Sequence, residues 1–363
     1  MPAEFKITKL RARAVNAPLK RPLQTSTLLV KSAPLALIDL ETSGGIVGCA
    51  YLFCYAGPVL KPTVAVLTEL GGLIEGEALA PFDIGQNLLK RFLLPGQQGI
   101  VGTALAGIDM AAWDAAAKAA GLPLARLLGG SVRRVPAYNS NGLGLIGPER
   151  VPAEALALIE GGFRAVKLRL GYPTLIEDLA AVKAARGALP DDIELMTDYN
   201  QCLLPAEAEI RGRALDAEGL AWIEEPTRWD DYAGNASIAA ALATPVMIGE
   251  SFWGAHDMAK ALDAKACDYV MPDAMKIGGV SGWLRAAALA ESHAMPMSSH
   301  LYPEISAHLL AVTPTAHWLE YMDWAEAILA EPISLQNGFA VIPDRPGTGI
   351  EWNEDAVRRY AVT

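Results

Sequence analysis

From about Val135 onward the chain settles into a rhythm that few folds can accommodate. Short apolar runs, each ending in a polar or charged residue, cover residues 135–139, 165–170, 193–199, 220–225, 245–250, 267–273, 296–300 and 317–321. Helix-like patterns lie between them, among them 152–160, 176–188, 207–218 and 280–293. The run-end residues Asp198, Glu224, Glu250, Asp273 and His300 follow one another at intervals of 23–27 residues. Parallel strands need crossover connections of a dozen or more residues, which a helix supplies, so this period predicts parallel β/α units. Eight runs predict an α/β chain closed into a (β/α)8 TIM-type barrel rather than an open sheet.

The first third has a different texture. Residues 5–15 alternate loosely, 33–40 form a β-like run, and Ser43, Gly44 and Gly45 predict a hairpin into 46–53. An Ala-rich helix is expected over 103–120, stopped by Gly121 with Pro123 beyond. The predicted layout is an α+β N-terminal domain over residues 1–130 and a (β/α) barrel over 131–324.

Charge removes several functions. With 30 basic and 41 acidic residues the net charge is −11, which argues against nucleic-acid binding and against a polybasic membrane surface. No eighteen-residue uninterrupted apolar run and no signal-peptide pattern appear, so no membrane partner is expected. Cys49, Cys54, Cys202 and Cys267 show no paired or metal-finger spacing. They read as buried free thiols of a cytoplasmic protein.

Barrel active sites lie at the C-terminal strand ends, and here those ends carry Lys167, Arg169, Asp198, Asn200, Glu224, Glu250, Asp273, His300 and Glu320. Alternation along a strand puts Lys167 with Arg169, and Asp198 with Asn200, on shared faces. Asp198, Glu224 and Glu250 end consecutive strands, and three carboxylates without cysteine suit a hard cation, Mg²⁺, with Mn²⁺ as the alternative. Asn200 is placed to orient a ligand or bind substrate. Lys167 and Arg169 suit a small carboxylate substrate and the charge that develops on it. Asp273 beside His300 would fix the imidazole tautomer and make the other nitrogen a base. Glu320 is expected as a neutral acid, its pKa raised by burial. Together these predict removal of the α-proton of a carboxylate to give an enolate. A base contributes roughly 10²–10⁴-fold to such a step, and one aimed donor about 2.7–4 kcal/mol. Lys276, just past a strand end, is expected in a structural ion pair.

The segments GIDMAAWD (107–114), FRAVKLRLGYP (163–173), DYNQ (198–201), WIEEPT (222–227), GES (249–251), MPDAMKIGGVSGW (271–283), MSSHLYPEISAHLLA (297–311) and TAHWLE (315–320) resemble the enolase superfamily, and within it the mandelate racemase subgroup. The resemblance implies Mg²⁺ on Asp198, Glu224 and Glu250, an Asp273–His300 base, and Glu320 donating to the substrate carboxylate that Lys167 contacts. It further implies that the substrate is a 2-hydroxycarboxylate and that the barrel is a modified (β/α)8 barrel under an α+β N-terminal capping domain. It implies as well that residues 325–363 complete the cap, that a cap loop closes over the site, and that the protein is a homo-oligomer, often an octamer. The loop 23–30, with Leu23 and Leu28, and 51–55, with Tyr55, would line an apolar pocket. Ser140 falls at a position near substrate, and Asn141 replaces a histidine. One departure matters. The subgroup's Lys-x-Lys, whose second lysine is the opposite-face base, is here Lys167-Leu168-Arg169. Arginine keeps its proton, so the expectation leans to a lyase that dehydrates a 2,3-dihydroxy acid. Racemisation of a mandelate-like acid, as an isomerase, and non-catalytic acid binding stand as alternatives.

Overall fold

A computed structural model describes residues 5–362. It opens with a three-stranded antiparallel sheet, β1 (Ile7–Gln24), β2 (Leu29–Thr42) and β3 (Val47–Phe53), in the order β1-β2-β3. Helices Gly57–Ile74, Pro81–Arg91 and Gly99–Ala119 follow. The last of these presses its alanines onto β3 so closely that a Cβ on Gly48 would sit 2.0 Å from the carbonyl of Ala111. That approach explains the small residues of the 107–114 segment. Its acidic end has a second task. Buried Asp114 accepts the Cys49 amide (2.8 Å) and the Thr348 amide (2.6 Å), tying helix, sheet and C-terminal segment together. Gly99–Ala119 is also the one helix among the described residues long and apolar enough to cross a membrane, but 61% of that stretch is buried within the protein.

β1 is longer than its loose alternation suggests, because it passes through Pro18 and Pro22 with a register break between Pro18 and Leu23. Proline is tolerated there because β1 is an edge strand and loses no ladder bond. The extension carries the β1–β2 tip, residues 25–28, to the barrel mouth, where the Leu145 amide donates to the Gln24 carbonyl (2.8 Å).

The barrel strands are β4 (Arg134–Asn139), β5 (Ala165–Arg169), β6 (Glu194–Asp198), β7 (Trp222–Glu224), β8 (Val246–Ile248), β9 (Tyr269–Val270) and β10 (Leu319–Tyr321). Successive pairs from β4 to β9 are parallel, and β10 pairs with β4 to close the ring. The expected strand at 296–300 is present only as bridges, Val270↔Met297, Asp273↔His300 and Met297↔Ala316. Its serines are the reason: the Ser298 and Ser299 hydroxyls accept the Trp318 and Glu320 amides, which a regular ladder would use. Tyr138, Met196, Trp222, Met247 and Met271 fill the barrel interior. Only the mouth is left open.

Two short strands, β11 (Ser334–Gln336) and β12 (Phe339–Val341), follow. Here the expectation for 325–363 needs correction. β12 pairs with barrel strand β4, not with the cap, whereas the chain end does return to the cap, with the Val362 amide donating to Ala14 and the Asn16 amide to Tyr360. Cys49, Cys54 and Cys267 are buried and unpaired, while Cys202, expected buried, is exposed.

Candidate active site

Every residue of β5 is buried, and alternation turns Lys167 and Arg169 into the barrel while Val166 and Leu168 face the helices. The Lys167 ammonium donates to Glu224 (2.6 Å) and pairs with Glu320 (2.8 Å), with Asp198 at 3.6 Å. Burial pushes its pKa down, but these carboxylates outweigh burial and hold it above the ordinary lysine range. Glu320 was expected as a neutral acid, and here the balance runs the other way. Burial raises it, yet Lys167 and His300 draw it below the usual carboxylate range and keep it ionised.

His300 and Asp273 meet as expected. Nδ1 lies 2.6 Å from a fully buried Asp273 oxygen, whose partner oxygen accepts the Met275 amide (2.6 Å). Nε2 faces Glu250 at 3.2 Å and Glu320 at 3.8 Å. Burial lowers the imidazole pKa, but Glu250 and Glu320 lift it well above normal. Glu250, raised by burial and lowered more strongly by His300, Lys276 and Lys167, falls to about 2.

Arg169 is tethered. Nη1 donates to the carbonyls of Ser140 (2.7 Å) and Gly142 (2.9 Å), and Nη2 donates to Ser140 Oγ (2.7 Å). Its buried Nε has no hydrogen-bond partner and lies 4.0 Å from Asp198. Ser140, expected to touch substrate, instead stands behind Arg169 and donates to Glu320 (2.7 Å). Asn141 is likewise turned away, holding the Asp323 amide and Asn139.

Asp198, Glu224 and Glu250 are brought to one end of the barrel by β6, β7 and the turn after β8. As the side chains stand, among the described residues no three such groups close around one point, because Lys167 and His300 occupy the carboxylates. The donor chemistry nevertheless fits a hard divalent cation. All three are oxygen ligands taken out of water, and Glu224 is pushed up to about 8 by burial, with repulsion from Asp198, Glu320 and Glu250 against the pull of Lys167. Asp198, Glu224 and Glu250 are the groups that would hold such an ion, and its charge would offset their mutual repulsion.

A cavity of about 190 Å³ opens over these groups, lined by Lys167, Arg169, Asp198, Asn200, Glu250, His300 and Glu320 on the barrel side. Asn200 Nδ2 donates to Asp198 (2.9 Å), and its buried oxygen has no partner. Leu23, Leu28 and Tyr55 line the cap side as expected, with Phe53. Sequence reasoning missed Met322 and Trp324 on the same wall, although they continue the two-residue alternation from Glu320. It also missed Glu225, fully buried, one oxygen accepting the Gly249 amide (3.1 Å) and the other unpartnered. Backbone strain gathers at the same strand ends: Asn200, Gln201, Glu225, Leu301 and Tyr302 all have positive φ. Lys276 makes no ion pair within 4 Å among the described residues. Instead its ammonium lies 4.7 Å from the Tyr55 ring centre and 3.3 Å from Ser251 Oγ.

Comparison with known proteins settles the lineage. Residues 7–129 match the mandelate racemase / muconate lactonizing enzyme N-terminal domain, and 150–356 match the enolase C-terminal domain-like family. This chain belongs to the mandelate racemase subgroup of the enolase superfamily. A solved Bradyrhizobium enolase, complexed with magnesium and mandelic acid, is 44% identical and superposes with a TM-score of 0.96 over 100% of both chains. An alpha-proteobacterial enolase with bound magnesium is 46% identical, with a TM-score of 0.97 over 99% of this chain and 100% of that one. The L-talarate/galactarate dehydratase of Salmonella typhimurium is 37% identical over 269 residues, 74% of this chain and 68% of that protein. Relatives in the subgroup include dehydratases, cycloisomerases and racemases, and the chain is an enzyme of this superfamily.

Proposed function

We propose that the protein is an Mg²⁺-dependent lyase that removes the α-proton of a 2,3-dihydroxycarboxylate with His300 and eliminates the β-hydroxyl as water. The observation that carries this reading is the tethering of Arg169 by three hydrogen bonds. It is a fixed cation and cannot serve as a second base, so one-base chemistry through His300 remains. Asp198, Glu224 and Glu250 would hold Mg²⁺, which supplies the charge that stabilises the enolate. Glu250, which faces His300 Nε2 at 3.2 Å in this structure, would be one of the ligands of that ion, and Nε2 is the imidazole nitrogen turned toward the cavity to accept the α-proton. Asp273 keeps its proton on Nδ1 and the ring oriented. Lys167 and Arg169 bind the substrate carboxylate and stabilise its charge. The proton taken by Nε2 is then delivered to the β-hydroxyl. The C–O bond breaks, water leaves, and the resulting enol tautomerises to a 2-keto-3-deoxy acid.

A second reading, racemisation of a mandelate-like 2-hydroxy acid, is favoured by the apolar cap wall and by the mandelic acid bound to the Bradyrhizobium relative. One experiment separates the two. The Mg²⁺-loaded enzyme is incubated in D₂O with a panel of 2-hydroxy and 2,3-dihydroxy acids and followed by ¹H NMR. Loss of the α-proton with formation of a keto acid supports the lyase. Exchange with inversion overturns it in favour of the racemase, and absence of both exchange and turnover overturns both.

A further inference from the structure

Lys276 stands apart from the machinery just described, though it sits at its edge. Its ammonium is 3.3 Å from Ser251 Oγ and 4.7 Å from the Tyr55 ring centre. It does not line the catalytic cavity, whereas Tyr55 does. Lys276 thus meets the lining of that cavity at the Tyr55 ring, a place suited to holding the ring.

Tyr55 itself is unusual. Its φ of 54° lies in the left-handed region, which costs a non-glycine residue on the order of 1–3 kcal/mol unless the surroundings hold it. Two contacts do so. Phe53 packs on one side with ring centres 4.7 Å apart, and Phe53 in turn meets Trp324 at 4.7 Å. Lys276 stands against the Tyr55 ring at the end of this Trp324–Phe53–Tyr55 row, in the arrangement of a cation–π contact. All three aromatics line the cavity.

We propose that Lys276 is a positioning residue whose ammonium, braced by Ser251, fixes the Tyr55 ring as the wall that receives an apolar substituent of the substrate. The inference rests on the reading of the site as one for 2-hydroxycarboxylates. It predicts selectivity: Lys276 matters for acids that press an aryl group on that wall and little for acids without one.

The test is calorimetric binding of mandelate and of lactate to the Mg²⁺-loaded full-length enzyme. The proteins are the wild type, Lys276→Met, Lys276→Arg, Tyr55→Leu and the Lys276→Met/Tyr55→Leu double variant, each checked by thermal melting. Lys276→Met is expected to weaken mandelate about 2- to 30-fold, the span of cation–π energies, and to leave lactate within about twofold. Lys276→Arg, which keeps the cation, should retain most of the affinity. In the Tyr55→Leu background the methionine substitution should add almost nothing. Equal weakening of both acids, or a full effect without Tyr55, overturns the proposal, since either would mean that Lys276 acts through Glu250. Wild-type binding unaltered by Lys276→Met overturns it while leaving the functional reading intact. Wild-type protein that binds neither acid overturns this inference, whereas the lyase reading stands or falls separately on turnover of 2,3-dihydroxy acids.

Discussion

The two sides of the candidate active-site cavity face each other with opposite chemistry. The barrel side presents Lys167, Arg169, Asp198, Glu250, His300 and Glu320, each locked to a neighbour by a hydrogen bond or ion pair. The cap side presents Leu23, Leu28, Val30, Phe53 and Tyr55, with Thr25 and Thr27 its polar members. Charges need rigid strands, because a misplaced buried charge loses its partner and keeps its desolvation cost. An apolar wall tolerates looser placement and different shapes. On the proposed function, turnover would belong to the barrel side and substrate choice to the cap side, and four substitutions probe that division.

The largest effect belongs to the barrel side. His300→Asn is expected to lower kcat by about 10²–10⁴-fold, the usual share of a general base, with KM changed far less. Solvent deuterium exchange at the α-carbon should vanish with it. Retained exchange would transfer the base role to another group and break the one-base reading.

The next effect concerns the joint on which both sides depend. His308 is fully buried, accepts the Ala125 amide on Nδ1 (3.1 Å) and faces the Thr348 carbonyl through Nε2 (3.2 Å). Burial lowers its pKa from 6.5 to about 4. The folded chain thus keeps it neutral while the unfolded chain takes up a proton below about pH 6.5. Its contribution is whole above pH 6.5, declines as pH falls towards 4 and is level below that, a span of about 3 kcal/mol at most. Asp109 and Glu304, each pushed up to about 7 mainly by burial, act in the opposite sense and gain stability on acidification. The wild-type profile therefore mixes the two. The clean measurement is the destabilisation caused by His308→Gln, expected to be larger at pH 7.5 than at pH 5 in urea unfolding. A pH-independent difference would show that His308 carries no such linkage.

Trp324→Ala addresses the wall. Removing a ring that packs edge-on against Phe53 takes away apolar contact worth roughly 1.5–3 kcal/mol when fully used. KM for an aryl-bearing acid should rise about 10- to 100-fold, with kcat held within a few-fold. A fall in kcat of the same size at constant KM would mean that the wall takes part in the transition state.

The contrast also explains what could be read without coordinates. The barrel side was legible because strand periodicity and polar strand ends are local signals: Asp198, Glu224, Glu250, Asp273 and His300 advertise themselves by type and spacing. Their protonation balance was not legible. Glu320 is ionised because Lys167 sits 2.8 Å away, and sequence spacing carries no such distance. Glu225 escaped notice because it looks like the neighbour of Glu224 until the Gly249 amide is seen on its oxygen. The irregular strand at 296–300 depends on serine hydroxyls replacing ladder bonds, and serine in a strand usually signals nothing. The wall was half legible. Leu23, Leu28 and Tyr55 lie in recognisable segments, but their meeting with Met322 and Trp324 joins residues almost 300 positions apart.

The smallest effect sharpens the comparison most, because it moves the wall without touching a wall residue. Gly144 lies under the β1–β2 tip, and a Cβ there would fall 2.5 Å from the Gln24 carbonyl oxygen and 2.9 Å from the Gln24 nitrogen. Both are backbone atoms, so no side chain can rotate to relieve the contact. The φ of Gly144 lies outside the left-handed region, so alanine meets a steric obstacle and not a forbidden backbone. Overpacking of this kind costs typically about 1–3 kcal/mol, but an edge hairpin can swing outward and recover much of it. Gly144→Ala should therefore displace the tip that carries Thr25, Thr27 and Leu28, raise KM about three- to tenfold, and leave the melting temperature almost unchanged. The barrel side stays intact, so kcat should hold. If kcat falls instead, the tip serves the chemistry by keeping water from His300, and turnover would no longer belong to the barrel alone.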